Sequence, residues 1–302
     1  MNTKQNNRYS VFKENGTDEV YCAIKEEINP GCKKAKVLVE ELWDKAHKYI
    51  DSDTLKELPV QFHQRFWEIY LAAALLEAGL NLEHSSGRDG PDICIKADDG
   101  SKVWVEAVTA SPGQGNDAVQ EAEIVTLRSV PDDQIKLRLL NAFDEKSKKY
   151  KRYREKNWVG SEEPYIIAIN AAQVPSATRE LEIPRIIRSL LPFGFQVLHL
   201  SRETLEVTGT SYEYQGEVIK ISGAEIGTTS FLNPKYSGIS AVIYSCVDSF
   251  NYPTEISRAL LLFHNPLATN PLPLGFLKKG YEYWVDEHQL KSRRIVCVMP
   301  DS

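Results

Sequence analysis

The sequence predicts a mixed α/β protein in which helices flank a central mixed β-sheet. The first observation is a pair of segments with apolar residues at helical spacing, one over 34–50 and one that begins near 55 or 61 and stops at Gly79. The second observation is a set of near-continuous apolar segments, such as 165–171 and 240–246, that are typical of strands buried on both faces. Helices that alternate with such strands predict a sheet covered on both sides.

The remaining elements follow in order along the chain. Residues 1–30 are polar and weakly patterned, which predicts a loose arm or cap. A loop over 111–133 precedes a long helix over about 133–156. Further strands are predicted at 195–201, 259–264 and 295–299, with a connecting helix at 183–191. We expect three parts, namely an N-terminal arm and helical cap over 1–55, a core over 56–210, and a C-terminal α/β extension over 211–302 packed on that core.

The composition is that of an ordinary globular protein, because 42% of the 302 residues are hydrophobic and 26% are charged. The five cysteines are odd in number and form no CxxC pair, so we expect reduced thiols rather than disulfides or a zinc site. No apolar stretch approaches the roughly 20 residues that span a bilayer, which predicts a cytoplasmic protein without a membrane partner. The net charge of −6 argues against a generic nucleic-acid coat, so any such binding must depend on local charge.

A β-hairpin is predicted from two alternating runs, 92–96 and 102–108, joined by a turn around Asp99 and Gly100. The register of this hairpin pairs residues whose numbers sum to about 198, which places Asp92 opposite Glu106. Carboxylates of neighbouring strands lie about 5 Å apart and repel each other unless a cation lies between them. Oxygen ligands of this kind suit Mg²⁺ or Mn²⁺. The alternative is that Asp92 caps a turn while Glu106 faces solvent from an ordinary amphipathic strand.

The run Gly90-Pro91-Asp92, followed by a hairpin and then by Glu106 within 104–108, resembles the core motif of the PD-(D/E)xK superfamily, the restriction-endonuclease-like nucleases. The resemblance covers roughly 60–171 and implies a restriction-endonuclease-like core that hydrolyses nucleic-acid phosphodiesters with Mg²⁺ or Mn²⁺. DNA is the expected substrate rather than RNA.

The resemblance also implies a set of metal ligands. These are Asp92, Glu106 and the backbone carbonyl of Ala107, and Glu68 on the preceding helix matches an acidic residue that helps directly or through water. Glu68 belongs to a stripe of polar residues at helical spacing, so it could instead lie on the solvent-facing side of an amphipathic helix. The stripe consists of Gln61, Gln64, Arg65 and Glu68.

The chain departs from the family pattern at Val108, which stands where the family has a lysine that orients the attacking water and steadies the phosphate charge. Lys96 and Lys102 lie four residues from the carboxylates, about 13 Å along a strand, and cannot replace it. We expect Lys146 on the long helix to take this catalytic role, with Arg138 near the same helix face. The alternative is that these cations are solvated.

The run 146–156 is strongly basic and contains Tyr150 and Tyr153, a pattern that favours phosphate contacts and base stacking. An exposed helix end with cations that complement the helix dipole is the alternative. The residues expected to bind nucleic acid are Arg138, Lys148, Lys149, Lys151 and Arg152.

The sequence therefore predicts a metal-dependent nuclease, with a homodimer left open. The loss of the motif lysine supports a second hypothesis, a catalytically inactive nuclease-fold module that binds nucleic acid or a protein partner. A third hypothesis is an enzyme of unrelated chemistry whose hairpin matches by chance.

Overall fold

The computed structural model describes residues 10–85, 90–97, 99–121 and 129–295. The helices are α1 (Glu19–Lys25), α2 (Pro30–Ala46), α3 (Asp53–Glu57), α4 (Phe62–Glu77), α5 (Asp132–Glu155) and α6 (Arg185–Leu190). The strands are β1 (Ile93–Lys96), β2 (Lys102–Thr109), β3 (Tyr165–Asn170), β4 (Phe193–Leu200), β5 (Val207–Tyr214), β6 (Glu217–Ile219), β7 (Glu225–Gly227), β8 (Ala241–Ser245), β9 (Leu261–His264), β10 (Gly280–Asp286) and β11 (Gln289–Ile295). Short 3-10 helices lie at Ser230–Leu232, Pro234–Tyr236 and Ile256–Ala259.

The predicted mixed α/β class is confirmed by a central sheet with the strand order β1-β2-β3-β8-β9-β10-β11. Strands β2, β3 and β8 run parallel, whereas β1 pairs antiparallel with β2 and β9 pairs antiparallel with β8. The hairpins β4–β5 and β6–β7 form separate two-stranded sheets. No helix among the described residues is long and apolar enough to cross a membrane.

Strand β2 separates two apolar cores because its side chains alternate between the two faces of the sheet. Val105 and Ala107 pack in the core that contains α4, whereas Trp104 and Val108 pack in the core that contains α5. Helix α4 is apolar around most of its circumference and is almost wholly buried, as expected for a helix covered on several sides. The indole of Trp67 fixes it to the sheet by donating to the carbonyl of Ala168 at 3.0 Å.

Helix α5 is amphipathic, and its buried face determines which of its charged residues reach the sheet. Leu139 and Phe143 pack on the sheet, and Lys146 and Tyr153 follow them at spacings of three, four and seven residues on the same face. The basic C-terminal half of the helix therefore directs part of its charge inward, toward β2.

The N-terminal end of α5 is held in place by a buried ionic cluster. Both Arg185 and Arg188 of α6 are buried and bond to the carboxylate of Asp132, with N–O distances of 2.6 to 2.9 Å. Burial raises the pKa of Asp132, but the hydrogen bonds from both arginines outweigh it and leave the pKa below the usual aspartate range. This cluster connects α5 to α6 and so helps to position the helix that carries Lys146.

Replacing Asp132 by asparagine is expected to lower the free energy of unfolding by roughly 3 kcal/mol, because the buried Arg188 loses its counter-charge and Arg185 retains Glu180 at 3.6 Å. The matched control is Asp133→Asn, since Asp133 is about half exposed and its pair with Lys136 should contribute under about 1 kcal/mol. Urea unfolding at neutral pH measures both values. Equal losses in the two variants would contradict a structural role for the Asp132 cluster.

The same cluster predicts the pH dependence of stability. Because the folded pKa of Asp132 is depressed, its contribution is complete above the unfolded aspartate pKa of about 3.9 and is lost progressively as the pH falls toward the folded pKa. The stability difference between wild type and Asp132→Asn should therefore shrink with acidification below about pH 4.

Several sequence predictions need correction. Residues 19–25 form helix α1, with Asp18 accepting backbone N–H bonds at its start and with Tyr21 and Ile24 buried, so the N-terminal arm is not loose there. Helix α2 begins at Pro30 because Asn29 caps it. The boundary expected between 210 and 211 falls inside β5, and β8–β11 extend the central sheet instead of packing on it.

Two predicted segments lie partly outside the described residues. The strand expected at 295–299 retains only Ile295, the last residue of β11, and the loop expected over 111–133 includes 122–128.

The strand expected at 195–201 falls in β4, which pairs with β5 and not with the central sheet.

Candidate active site

The hairpin that carries the two predicted carboxylates is confirmed together with its register. Ile93 pairs with Val105, which continues the sum of 198 and brings Asp92, the residue just before β1, alongside Glu106 on β2. An oxygen of Asp92 accepts the backbone N–H of Ala107 at 2.7 Å. The Asp92 carboxylate is therefore fixed beside the Glu106–Ala107 peptide by the strand pairing and by a direct hydrogen bond.

Glu106 is fully buried, with 0% of its surface exposed. One carboxylate oxygen, Oε1, accepts from Lys146 Nζ at 2.8 Å and from Lys149 Nζ at 2.6 Å. The other oxygen, Oε2, accepts from the hydroxyl of Tyr153 at 3.2 Å. A buried carboxylate is costly unless it is paired, and these three donors from α5 explain why a charge is tolerated inside an apolar strand. The alternative of a solvent-facing Glu106 is wrong.

Val108 is buried and belongs to the apolar core beneath α5. Lys146 Nζ of α5 lies 2.8 Å from the Glu106 carboxylate, within the few ångströms that the sequence predicts for a cation of this helix. Lys102, rejected on spacing, pairs with Glu83 at 3.1 Å.

The carboxyl groups of Asp92 and Glu106 differ in their electrostatic surroundings. Burial raises the pKa of Asp92 well above its usual range, and Glu106 and Glu68 raise it further, while Lys146 and Lys149 oppose the shift only in part. Burial lowers the pKa of Lys149, but the charges of Glu106, Asp92 and Glu68 outweigh it and raise the pKa overall, so the side chain is an ammonium at neutral pH. Among the described residues, Glu106 has two direct ammonium partners, whereas Asp92 has none.

Glu68 is 3% exposed, so the alternative that it lies on the solvent-facing side of α4 is wrong. Its carboxylate accepts from Arg65 at 2.5 Å, from Gln64 at 3.0 Å and from the hydroxyl of Thr54 at 3.2 Å. Because Glu68 also raises the pKa of Asp92, it contributes to the same negative field. Its own cation is Arg65, which contacts the Glu68 carboxylate directly.

Gln64 is a site residue that the sequence alone did not single out. Its amide nitrogen contacts Glu68 and lies 3.4 Å from the carbonyl oxygen of Ala107, the backbone ligand that the family resemblance implies. Its amide oxygen accepts the N–H of Thr109 at 2.9 Å and the hydroxyl of Thr109 at 3.1 Å. The four-residue spacing to Glu68 put both on one helix face, but only the packing of α4 on β2 shows that this face meets the Ala107 carbonyl.

The basic run divides into an inward and an outward set. Tyr153 is buried and bonds Glu106, so it is not available for base stacking, and Tyr150 packs on Tyr165 with ring centres 4.7 Å apart. Lys149 likewise points to Glu106. The outward set comprises Lys148, which pairs with Asp144 at 2.6 Å, together with the exposed Lys151 and Arg152.

Arg138 differs from the other predicted phosphate contacts because it lies beneath the loop that follows β2. A Cβ atom added to Gly113, which has a φ of +87°, would lie 1.9 Å from a guanidinium nitrogen of Arg138. The guanidinium therefore packs against the Gly113 backbone and is only partly exposed. The glycine is required by this close approach as well as by its backbone angle.

A divalent cation such as Mg²⁺ requires oxygen ligands from carboxylates or backbone carbonyls. In the part of the chain that the structure describes, no three His, Cys, Asp or Glu side chains are grouped so as to hold a metal. Mg²⁺, however, usually keeps several waters and takes only one or two protein carboxylates. Asp92, Glu106 and the Ala107 carbonyl supply hard oxygen atoms that fit this mode, provided that one lysine leaves Glu106.

The chain matches no protein-family model, no curated protein and no solved structure. The functional conclusion therefore depends on the geometry of the site itself.

Proposed function

We propose that this protein is a Mg²⁺- or Mn²⁺-dependent nuclease with a restriction-endonuclease-like core, and that it hydrolyses phosphodiester bonds in DNA. The observation that carries the proposal is the 2.8 Å contact between Lys146 Nζ and Glu106 Oε1. Asp92, just before β1, lies alongside Glu106 in the register of the hairpin. The aspartate, glutamate and lysine that the family places in one motif would come here from the residue before β1, from β2 and from α5. The order of α4, hairpin, α5 and parallel strand β3 supports the same core.

Each residue has a role that its contacts support. Asp92, Glu106 and the carbonyl of Ala107 would hold the metal, and a divalent cation there polarises the phosphate and lowers the pKa of a bound water. Lys146 orients the attacking water and stabilises charge that develops on the phosphate. Glu68 strengthens the negative field from α4. Gln64 fixes the Ala107 carbonyl by bonding Thr109 on the same strand.

The exposed cations of α5 supply the nucleic-acid contact in this proposal. Lys148, Lys151 and Arg152 are exposed on the same helix as Lys146 and Lys149, which reach Glu106. The resemblance favours DNA over RNA. We place the enzyme in the cytoplasm because the cysteines in the described residues are unpaired, as expected in a reducing compartment. A homodimer stays a prediction.

The second candidate function is a nuclease-fold module without catalysis. Glu106 favours it, because this carboxylate is fully buried and three donors already occupy its two oxygens. Such a site could be a purely structural ion cluster, with nucleic acid or a protein partner bound elsewhere. Catalysis discriminates between the two functions.

The proposal is tested by incubating the purified protein with single- and double-stranded DNA and RNA in Mg²⁺, in Mn²⁺ and in EDTA. We expect cleavage of DNA in at least one metal and none in EDTA, since the metal supplies the polarisation that the side chains cannot. Protein that binds nucleic acid with a steep salt dependence but cuts no substrate would favour the inactive module. Protein that neither binds nor cuts nucleic acid would contradict the nuclease and leave only a module that binds a protein partner.

Neutralising the outward set with the triple variant Lys148→Gln, Lys151→Gln and Arg152→Gln is expected to weaken nucleic-acid binding across sequences. The salt dependence should flatten by about one unit of slope for each phosphate that the helix no longer binds. Fluorescence anisotropy between low and moderate salt measures both effects. The control is the triple variant Lys33→Gln, Lys34→Gln and Lys45→Gln on α2, which removes equal charge from exposed lysines beside α4. Equal effects in both triples would contradict a localised binding surface on α5.

A further inference from the structure

Glu106 Oε1 is contacted by two ammonium groups, and the family motif accounts for only one. Lys146 Nζ lies at 2.8 Å and Lys149 Nζ at 2.6 Å from this single oxygen. The side chain of Lys146 is 12% exposed and that of Lys149 is 33% exposed. Lys146 replaces the missing lysine, so the second contact requires a different explanation.

We propose that Lys149 is a displaceable counter-ion that occupies the metal position on Glu106 until a divalent cation binds, and then moves to the substrate phosphate. The inference rests on the proposed nuclease function and adds a regulatory contact to the same site. Metal and Lys149 compete for Glu106, so the metal binds weakly in the absence of nucleic acid and more tightly in its presence.

Charge balance supports this exchange. Asp92 and Glu106 carry two negative charges when both are ionised to hold a metal, and Lys146 and Lys149 already supply two positive charges. A divalent cation added with both lysines in place would leave two excess positive charges in a largely buried pocket, which is costly. Withdrawal of Lys149 from the pocket halves the excess, and a substrate phosphate supplies the partner that Lys149 then gains.

The surroundings indicate that Lys149 is the lysine that moves. It is the more exposed of the two, and its next exposed neighbours along α5 are Lys148, Lys151 and Arg152, the outward set. Its flexible four-carbon chain lets the ammonium swing between partners at small cost. The ring of Tyr153 lies 5.4 Å from Lys149 Nζ and can remain a contact while the ammonium turns outward.

Metal binding without nucleic acid provides the test, with Mn²⁺ titrated into the full chain by calorimetry. Lys149→Met is expected to tighten Mn²⁺ binding by about tenfold, within the usual range of coupling between two sites. Lys149→Gln is a second variant that keeps a polar side chain, and Lys96→Met is the matched control because Lys96 is exposed at the far end of the same hairpin. Lys146→Met should tighten Mn²⁺ binding as well, because it removes the positive charge that stays beside the bound metal.

A second readout separates displacement from a simple loss of charge. Nucleic-acid affinity should fall in Lys149→Met when Mn²⁺ is present, because the phosphate loses a partner, and should change little in EDTA, where Lys149 is held by Glu106. Circular dichroism and thermal unfolding verify that each variant is folded.

The outcomes distinguish this inference from the proposed function. Wild type that binds Mn²⁺ and cuts DNA, with unchanged Mn²⁺ affinity in both folded Lys149 variants, would overturn the counter-ion role and leave the nuclease intact. Tight Mn²⁺ binding that appears only after Lys149 is replaced would support it. Failure of every variant to bind Mn²⁺ would overturn the metal site and the inference together.

Discussion

Replacing Asp92 by asparagine is expected to abolish Mg²⁺-dependent cleavage, with a fall in rate of more than about 100-fold. Losing an outer partner of a metal ligand already costs about 10- to 100-fold, and Asp92 is placed here as a direct ligand. The substitution keeps the shape of the side chain and an oxygen that can accept the Ala107 N–H. Nucleic-acid affinity should stay equal or rise, because a negative charge beside the phosphate is removed. Single-turnover cleavage and equilibrium binding measure the two effects separately.

The matched control is Asp99→Asn, because Asp99 is exposed at the turn of the same hairpin and accepts hydrogen bonds from Ser101. A substitution at Asp92 is also easier to interpret than one at Glu106. Removing the Glu106 charge would leave two lysines without their buried partner and destabilise the fold by roughly 3 to 5 kcal/mol, which confuses activity with stability. Cleavage by Asp92→Asn at the wild-type rate would contradict the role of Asp92 as a metal ligand in the reaction.

Replacing Lys146 by methionine is expected to lower the single-turnover cleavage rate by about 100- to 1,000-fold, the cost of losing one preorganised donor to developing charge. Nucleic-acid affinity should change much less, since Lys146 is largely buried at Glu106 and does not belong to the outward set. Lys146→Arg should recover little activity, because a planar guanidinium does not occupy the position of a compact ammonium.

Lys96→Met serves as the control for Lys146, since it removes the same charge from the other end of the hairpin. A Lys146→Met enzyme that is folded and retains full activity would show that another cation performs the lysine role. If cleavage activity is retained when Lys146 and when Lys149 is replaced, neither lysine acts in catalysis with Asp92 and Glu106.

The hairpin and its register could be predicted from sequence because strand alternation has a period of two and the turn is short, so one turn position fixes every pair. The same alternation identified Glu106 as a charge within an apolar strand. Lys146 could be proposed because it lies eight residues after Arg138, about two turns later on the predicted long helix. These are local patterns, and the structure places their residues where the pattern requires.

The inward direction of Lys149 and Tyr153 could not be predicted, because a run of lysines and arginines with tyrosines has the same composition whether it faces solvent or a buried carboxylate. Only the packing of α5 on β2 shows that part of the basic run neutralises Glu106. Gln64 was missed for a similar reason, since its contact with the Ala107 carbonyl joins residues 43 positions apart.

The C-terminal strands illustrate another limit of the sequence. Strand β11 has the sequence QLKSRRI and carries few apolar residues, because it lies at the edge of the sheet and needs no continuous apolar face. Apolar runs therefore located β3, β8 and β9 in the middle of the sheet but gave no sign of its charged edge.

The central claim is that Asp92 and Glu106 form a divalent-metal site beside Lys146, and a crystal soaked in Mn²⁺ tests it most directly. The anomalous difference map should show a peak within ligand distance of both carboxylates and of the Ala107 carbonyl, with Lys146 still on Glu106. A well-ordered site with both lysines on Glu106 and no peak at a saturating Mn²⁺ concentration would contradict the claim.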